Sequence, residues 1–302
     1  MKFGRLTNVD SVDFSLPVVE DALLGWPEVK NGERRASEKF RMYVGAPVWA
    51  HKGFLGKIYP LKTKASDYLE HYARNFNCIE LNSTFYGVPK PERIERWCGQ
   101  VGPEFRFCPK ATRELTHNFG AVPNREMTAF FKAVECFGDK LGCCFFQFPP
   151  EFGPKEWRHL RDMLRLFPRD MRTAVELRHP GWFETPSALA WLLELGVETK
   201  TLLVISDTAG RREVLHFCLP QPNLFVRFSG DALVKTDFTR LDDWMRSIRV
   251  LQSQGLEESY FFLHQESEDN CVELAEYLAE KMPEGQLAPV TRVRVQEQLA
   301  LW

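Results

Sequence analysis

Leu141-Gly142-Cys143-Cys144-Phe145-Phe146-Gln147-Phe148-Pro149-Pro150 reads as a β-strand, and its pattern decides the fold. The run lacks the polar alternation of a half-solvated strand, as expected for a strand covered on both faces. Two prolines end it, since proline has no N–H to give to a neighbouring strand. Longer amphipathic stretches with helical spacing flank it, Glu126 to Phe137 before and Lys155 to Phe167 after. A doubly buried strand between helices belongs to a parallel sheet sheathed in helices.

The same unit recurs in both directions. Earlier strands are expected at Met42 to Ala46, Asn77 to Asn82 and Glu104 to Cys108, and later ones at Arg172 to Arg178, Thr201 to Ser206, Leu224 to Ser229 and Ser259 to His264. Helical patterns lie at Ser66 to Asn75, Pro91 to Cys98, Pro186 to Leu195, Leu241 to Gln254 and Asn270 to Lys281, while the polar span after Ser206 carries little helix. Eight strands can close into a ring or form an open doubly wound sheet. Closure is favoured because no strand reads as a polar edge, and no GxGxxG or GxxxxGK[ST] follows a strand. The expected fold is α/β, a (β/α)8 TIM-like barrel over residues 41–302, with residues 1–40 as an N-terminal extension.

The 39 basic and 41 acidic side chains leave a formal charge of -2, so the chain lacks the overall attraction of a dedicated nucleic-acid binder. The eight cysteines form no CxxC pair and are expected as buried free thiols, consistent with a reducing cytoplasmic setting. No apolar run reaches the roughly 20 residues of a membrane span, so no membrane partner is expected.

Parallel barrels carry their sites at the C-terminal strand ends, where alternate residues face the axis. Period two groups Cys78, Glu80 and Asn82; Arg106, Cys108 and Lys110; Cys143, Phe145 and Gln147; and Ala174, Glu176 and Arg178. It also groups Leu203, Ile205 and Asp207; Phe225, Arg227 and Ser229; and Phe262 with His264. Small or apolar residues thus give way to ionisable or amide groups toward the strand ends. Glu80, Glu176, Asp207 and His264 are the expected catalytic groups. Asn82, Lys110, Gln147, Arg178 and Arg227 are expected to bind substrate, with Gly230 letting the backbone approach it. His117 and His179 are added as loop histidines, and Trp49, Tyr86 and Trp182 as rings for stacking on a sugar or base. Each has a plainer alternative: Glu80 as a structural carboxylate, Asp207 as a turn cap, and the aromatics as loop packing.

The chain resembles the DUF72, or YecE-like, family over about residues 41 to 280. The likeness rests on Tyr72-Ala73-Arg74-Asn75-Phe76-Asn77-Cys78-Ile79-Glu80-Leu81-Asn82-Ser83-Thr84-Phe85-Tyr86, on Phe105 to Lys110, on Phe146-Gln147-Phe148-Pro149-Pro150 and on Ala174-Val175-Glu176-Leu177-Arg178-His179 with Trp182. Gly45, Trp49, Tyr59-Pro60, Thr116-His117, Lys140-Leu141-Gly142, Asp207-Thr208, Val226-Arg227 and Gly230 complete it. The resemblance implies a TIM-barrel-like fold and no established general activity. Two positions depart from the family pattern: Ser229 replaces a usual histidine, and His264-Gln265 a usual pair of asparagines.

Two functions follow. The first is a hydrolase or isomerase acting on a small anionic or carbohydrate-like substrate by carboxylate acid/base chemistry. A retaining sugar hydrolase of the common barrel type would need carboxylates where Gln147 and Arg227 stand, which counts against that version. No cofactor is firmly expected. A divalent metal among Glu80, Glu176, Asp207 and His264 is a variant that the nearby cations oppose, and NAD, flavin and haem lack their usual motifs. The second is a non-catalytic module for a phosphate-bearing metabolite or nucleic acid, with Arg161, Arg165, Arg169, Arg172, Arg211 and Arg212 extending a basic surface. Steep salt dependence would mark a polyanion binder.

Overall fold

A computed structural model describes residues 4–26, 40–118 and 124–282. Its ten strands are β1 (Leu23–Leu24), β2 (Arg41–Ala46), β3 (Cys78–Leu81), β4 (Arg106–Pro109), β5 (Cys144–Gln147), β6 (Thr173–Glu176), β7 (Thr201–Asp207), β8 (Cys218–Leu219), β9 (Asn223–Ser229) and β10 (Glu258–His264). Its helices are α1 (Tyr68–Tyr72), α2 (Pro91–Gly99), α3 (Arg113–Thr116), α4 (Asn124–Val134), α5 (Trp157–Leu164), α6 (Pro186–Thr199), α7 (Lys235–Ser253) and α8 (Cys271–Lys281).

Eight parallel strands pair in the order β4-β3-β2-β10-β9-β7-β6-β5. The two ends of that series meet through isolated bridges, Phe107 with Leu141 and Lys110 with Phe145, leaving a near-closed barrel. Gly142 permits this approach: a Cβ there would lie 2.7 Å from Cys108 Sγ and 3.1 Å from the Phe107 carbonyl oxygen.

Period two divides each strand between two apolar layers. Tyr43, Cys78, Cys108, Cys143, Phe145, Ala174, Leu202, Val204, Phe225, Tyr260 and Phe262 fill the interior, with Tyr43 and Tyr260 stacked at 4.9 Å. Alternate residues such as Val44, Ile79, Phe146, Val175, Leu203, Ile205, Val226 and Phe261 pack in the larger core that includes the helix faces. This two-sided burial is why the strands read as apolar runs. Local signals set helix ends: Pro186 opens α6, Thr185 Oγ1 accepts from Ala188 N at 3.2 Å, and Lys200 closes it in a left-handed conformation.

Between β7 and β9 there is no α-helix, only a short turn at Arg212–Val214 and strand β8. The N-terminal segment occupies this place, with β1 pairing in parallel with β8 and touching α6, and the turn Val19–Asp21 touching α7. Trp26 Nε1 donates to the Gln254 carbonyl at 2.8 Å, and Gly210 N donates to the Gly4 carbonyl at 2.7 Å. The sequence signalled the missing helix but not that residues 4–26 would cover the gap.

All eight cysteines are free; Cys98 is half-buried and Cys136 exposed, so burial does not extend to every thiol as expected. Among the described residues no helix is long and apolar enough to cross a membrane.

Candidate active site

The strand ends converge on one buried ionic network. Arg227, from β9, donates from Nε to Glu80 Oε2 and from Nη2 to Glu80 Oε1, both at 2.8 Å. Its Nη1 donates to Glu176 Oε2 at 2.8 Å. A planar guanidinium thereby holds carboxylates from opposite parts of the ring, which a point-charge ammonium could not match. Glu176 also accepts from Arg178 Nε at 2.7 Å, Gln147 Nε2 at 2.7 Å and Ser206 Oγ at 3.0 Å. Glu80 accepts from Asn82 Nδ2 at 2.8 Å and is 3.1 Å from His264 Nε2.

Lys110 completes the network, its Nζ donating to Gln147 Oε1 at 2.7 Å and lying 4.4 Å from the Phe85 ring centre. The Gln147 amide is oriented from both sides, with its NH2 on Glu176 and its oxygen on Lys110. Above lies a cavity of about 360 Å³ lined by Pro47, Asn82, Phe85, Tyr86, Lys110, Gln147, Arg178, Arg227, His264 and Glu268.

The charges have unequal proton affinities. Burial would raise the carboxyl of Glu176, but Arg178 and Arg227 outweigh it and bring it down to about 2. Glu80 is likewise buried, yet Arg227 holds it well below the carboxylate range. Burial, with Arg227 nearby, lowers His264 despite Glu80, so the ring is neutral near pH 7 and its Nε2–H donates to Glu80. Burial and then the Arg227 charge push Lys110 down to about 8, against the pull of Glu80 and Glu176. Burial raises Glu268 to about 7, and Glu80 adds to the rise.

Glu268 was not singled out from sequence, nor were Ser206, Phe85 and Pro47. Glu268 follows β10 in a short turn, Glu268–Asn270, where only its place beyond a barrel strand hinted at the mouth. Its folded-state affinity for a proton exceeds the unfolded one. Between about pH 4.5 and 7 the native chain keeps a proton that the unfolded chain has lost, so this residue makes stability fall as pH rises. Glu268→Gln should therefore raise Tm at pH 8 and leave it nearly unchanged at pH 4, as read by differential scanning fluorimetry. An equal shift at both pH values would show that the native carboxyl is not protonated in that window.

Other expected site residues lie elsewhere. Asp207 faces outward, contacting Arg212, Arg240 Nη2 at 2.8 Å and Trp244 Nε1 at 2.8 Å. The inward face of β7 is Leu202, Val204 and Ser206, with Ser206 beside Arg227. Trp182 is 1% exposed, donates to the Phe152 carbonyl at 2.7 Å and stacks on Trp191, so it is helix-layer packing. Trp49 packs edge-on against Trp97 at 5.3 Å. His179 Nδ1 accepts from Gly181 N at 3.0 Å as a turn cap. His117 is exposed behind Phe85, 5.4 Å between ring centres. Gly230 makes room for protein: a Cβ there would lie 2.0 Å from Gln265 Nε2. Tyr86, by contrast, is 89% exposed at the cavity rim.

Because Asp207 turns away and Arg227 bridges Glu80 and Glu176, the four residues of the metal variant do not gather at one point. Among the described residues no group of three or more His, Cys, Asp or Glu side chains is placed to share a metal. The six arginines expected to form a basic surface are individually engaged: Arg161 with Asp162, Arg165 and Arg169 with Glu198, Arg172 with Glu258, Arg211 with Glu213 and Arg212 with Asp207.

Fold and site together define a (β/α)8 barrel protein with a charged cavity at the C-terminal mouth. Residues 43–298 match the family described as "Protein of unknown function DUF72", and the chain belongs to that family. It is 28% identical to the UPF0759 protein YecE of Escherichia coli strain K12 over 242 residues, 74% of this chain and 86% of YecE. It is 30% identical to the UPF0759 protein YunF of Bacillus subtilis strain 168 over 154 residues, 48% of this chain and 53% of YunF. Crystal structures of DUF72 family proteins share the fold. One from Enterococcus faecalis has a TM-score of 0.64 at 21% identity, over 80% of this chain and 94% of that one. One from Thermotoga maritima has a TM-score of 0.63 at 21% identity, over 79% and 99%.

Proposed function

We propose that the barrel mouth is the active site of an enzyme, an isomerase or hydrolase, acting on a small anionic or carbohydrate-like substrate. The observation carrying this reading is the charge balance beneath the cavity. Arg178, Arg227 and Lys110 face two ionised carboxylates, Glu80 and Glu176, and Glu268 keeps its proton below about pH 7, leaving a net positive charge that suits an anionic group. A cavity of about 360 Å³ has the scale of a metabolite site, and the Tyr86 ring offers a face for stacking.

Acid/base work falls to different groups from those expected. Glu80 and Glu176 are locked as anions and are poor proton carriers near neutrality; they hold Arg227 and Arg178 in place. Glu268 at about 7 and Lys110 at about 8 titrate where general acids and bases operate best. These two values favour turnover over passive binding.

Calorimetric titration with inorganic phosphate at pH 7 tests the reading. One phosphate per chain is expected, with affinity at least about tenfold weaker in Lys110→Met, which corresponds to about 1.4 kcal/mol. Affinity should fall only modestly between 0.1 and 0.3 M salt, unlike the steep loss of a polyanion binder. No saturable binding, or binding indifferent to Lys110→Met, would defeat the assignment.

A further inference from the structure

We propose that Lys110 is a nucleophile and that the substrate is a small carbonyl compound carrying an acid group, joined to Nζ as an imine. This rests on the anionic-substrate reading above and deepens it by naming the reacting function.

The geometry sets Lys110 apart from its cationic neighbours. Arg178 and Arg227 each contact carboxylate oxygens, whereas Lys110 Nζ donates to the neutral amide oxygen of Gln147. Glu176 accepts from the same amide, fixing its oxygen toward the amine. Among the described residues no carboxylate forms an ion pair with Nζ, so none has to be broken when the proton leaves. Nζ lies against the Phe85 ring, and Lys110 lines the cavity a ligand would fill. The charged and titratable groups around it are Arg227, Glu80, Glu176 and Arg178, with His117 beside Phe85, and with Glu268, His264 and Tyr86 lining the same cavity. Their balance leaves on the order of a fifth of Lys110 as free amine near pH 7.4, against about one in a thousand for an ordinary lysine. A desolvated lysine beside other cations is a recurrent way to obtain a nucleophilic amine.

In the reaction, the Nζ lone pair attacks the carbonyl carbon while the carbonyl π pair moves to oxygen, which takes the proton of the Glu268 carboxylic acid. The ammonium so formed returns a proton to the Glu268 carboxylate, giving a neutral carbinolamine. Its hydroxyl then takes that proton and leaves as water, while the nitrogen lone pair forms the C=N bond. The product is the iminium, which gives its proton to the Glu268 carboxylate to become the imine, and addition of water reverses the sequence. The substrate's acid group rests on the cationic wall and compensates the iminium charge.

The test uses pyridoxal 5′-phosphate, an aldehyde bearing a phosphate, with borohydride reduction and peptide mapping of the full chain. One label is expected at Lys110, at least about tenfold faster than at any other lysine, slowed by inorganic phosphate and rising with pH through a midpoint near 8. Lys110→Arg should keep phosphate binding and lose the label. Should that variant misfold, phosphate protection of the wild-type chain still decides the matter. Labelling spread over surface lysines without preference for Lys110, while calorimetry shows phosphate bound, overturns the imine and leaves the anionic site standing. A labelled Lys110 that phosphate neither occupies nor protects overturns the acid-bearing substrate and the proposed function. Neither label nor phosphate overturns both.

Discussion

Arg227→Met should lower the unfolding free energy by about 3–5 kcal/mol, the usual cost of removing one partner from a buried ion pair. The change strands Glu80, fully buried, without its guanidinium, while Glu176 keeps its ion pair with Arg178. For a chain of this size the loss corresponds to a fall in Tm on the order of 10 °C. Urea or thermal denaturation reads it directly. Neutralising the stranded group as well, in Glu80→Gln/Arg227→Met, should recover part of the loss, because an amide costs less to bury than an unpaired carboxylate, and Glu176 is left in place because Arg178 pairs with it. A double variant no more stable than Arg227→Met would mean that the penalty comes from lost packing and not from unpaired charge.

Asp207→Ala carries the second large effect, again about 3 kcal/mol or more, and it separates scaffold from site. Arg240 is 1% exposed and bonds to the Asp207 carboxylate, while its other polar contacts include the carbonyls of Asp207 and Ser229 and, at 3.7 Å, Asp237. Removing the carboxylate leaves a buried guanidinium short of charge and Trp244 Nε1 short of an acceptor. Phosphate titration of the folded variant should match wild type, because Asp207 lies outside the cavity. Stability retained with phosphate binding lost would return Asp207 to the mouth.

The fold was legible because its strands are simple. All eight barrel strands lie within two or three residues of the apolar runs, and the ring was inferred from the lack of a polar edge. Parity was legible only where a strand mixed polar and apolar residues. In β6 and the two residues after it, Glu176 and Arg178 alternate with Val175 and Leu177, so one register puts both charges in the mouth. In β7, Leu202, Val204 and Ser206 alternate with Leu203, Ile205 and Asp207, and both sets are apolar until their last member. Choosing the charged end selected the wrong face, because a carboxylate can be satisfied by Arg240 behind the barrel as well as by a ligand inside it.

Loop residues were the least legible. Trp182 and His179 follow a strand end, yet the turn Pro180–Trp182 folds the indole back onto Trp191 and uses His179 as its cap. Glu268 stands beside Glu266 and Asp269 in a stretch that gives no sign of which carboxylate points inward. Its proton affinity comes from burial under a mouth assembled by the other strands, so it exists only in the folded chain.

The unequal pairing around the barrel bears on how the mouth breathes. Seven neighbouring strand pairs carry continuous ladders, whereas β4 and β5 meet at isolated bridges. Fluctuations of a cylinder built in this way concentrate between its two least fastened staves, since fewer hydrogen bonds must yield there. Lys110 ends one stave and Gln147 the other, so the 2.7 Å contact that aims the amine spans the place of greatest give. Rigidity in the Arg227 clasp and compliance at Lys110 thus sit side by side, with the anchoring charges on the stiff wall and the reactive nitrogen on the yielding one.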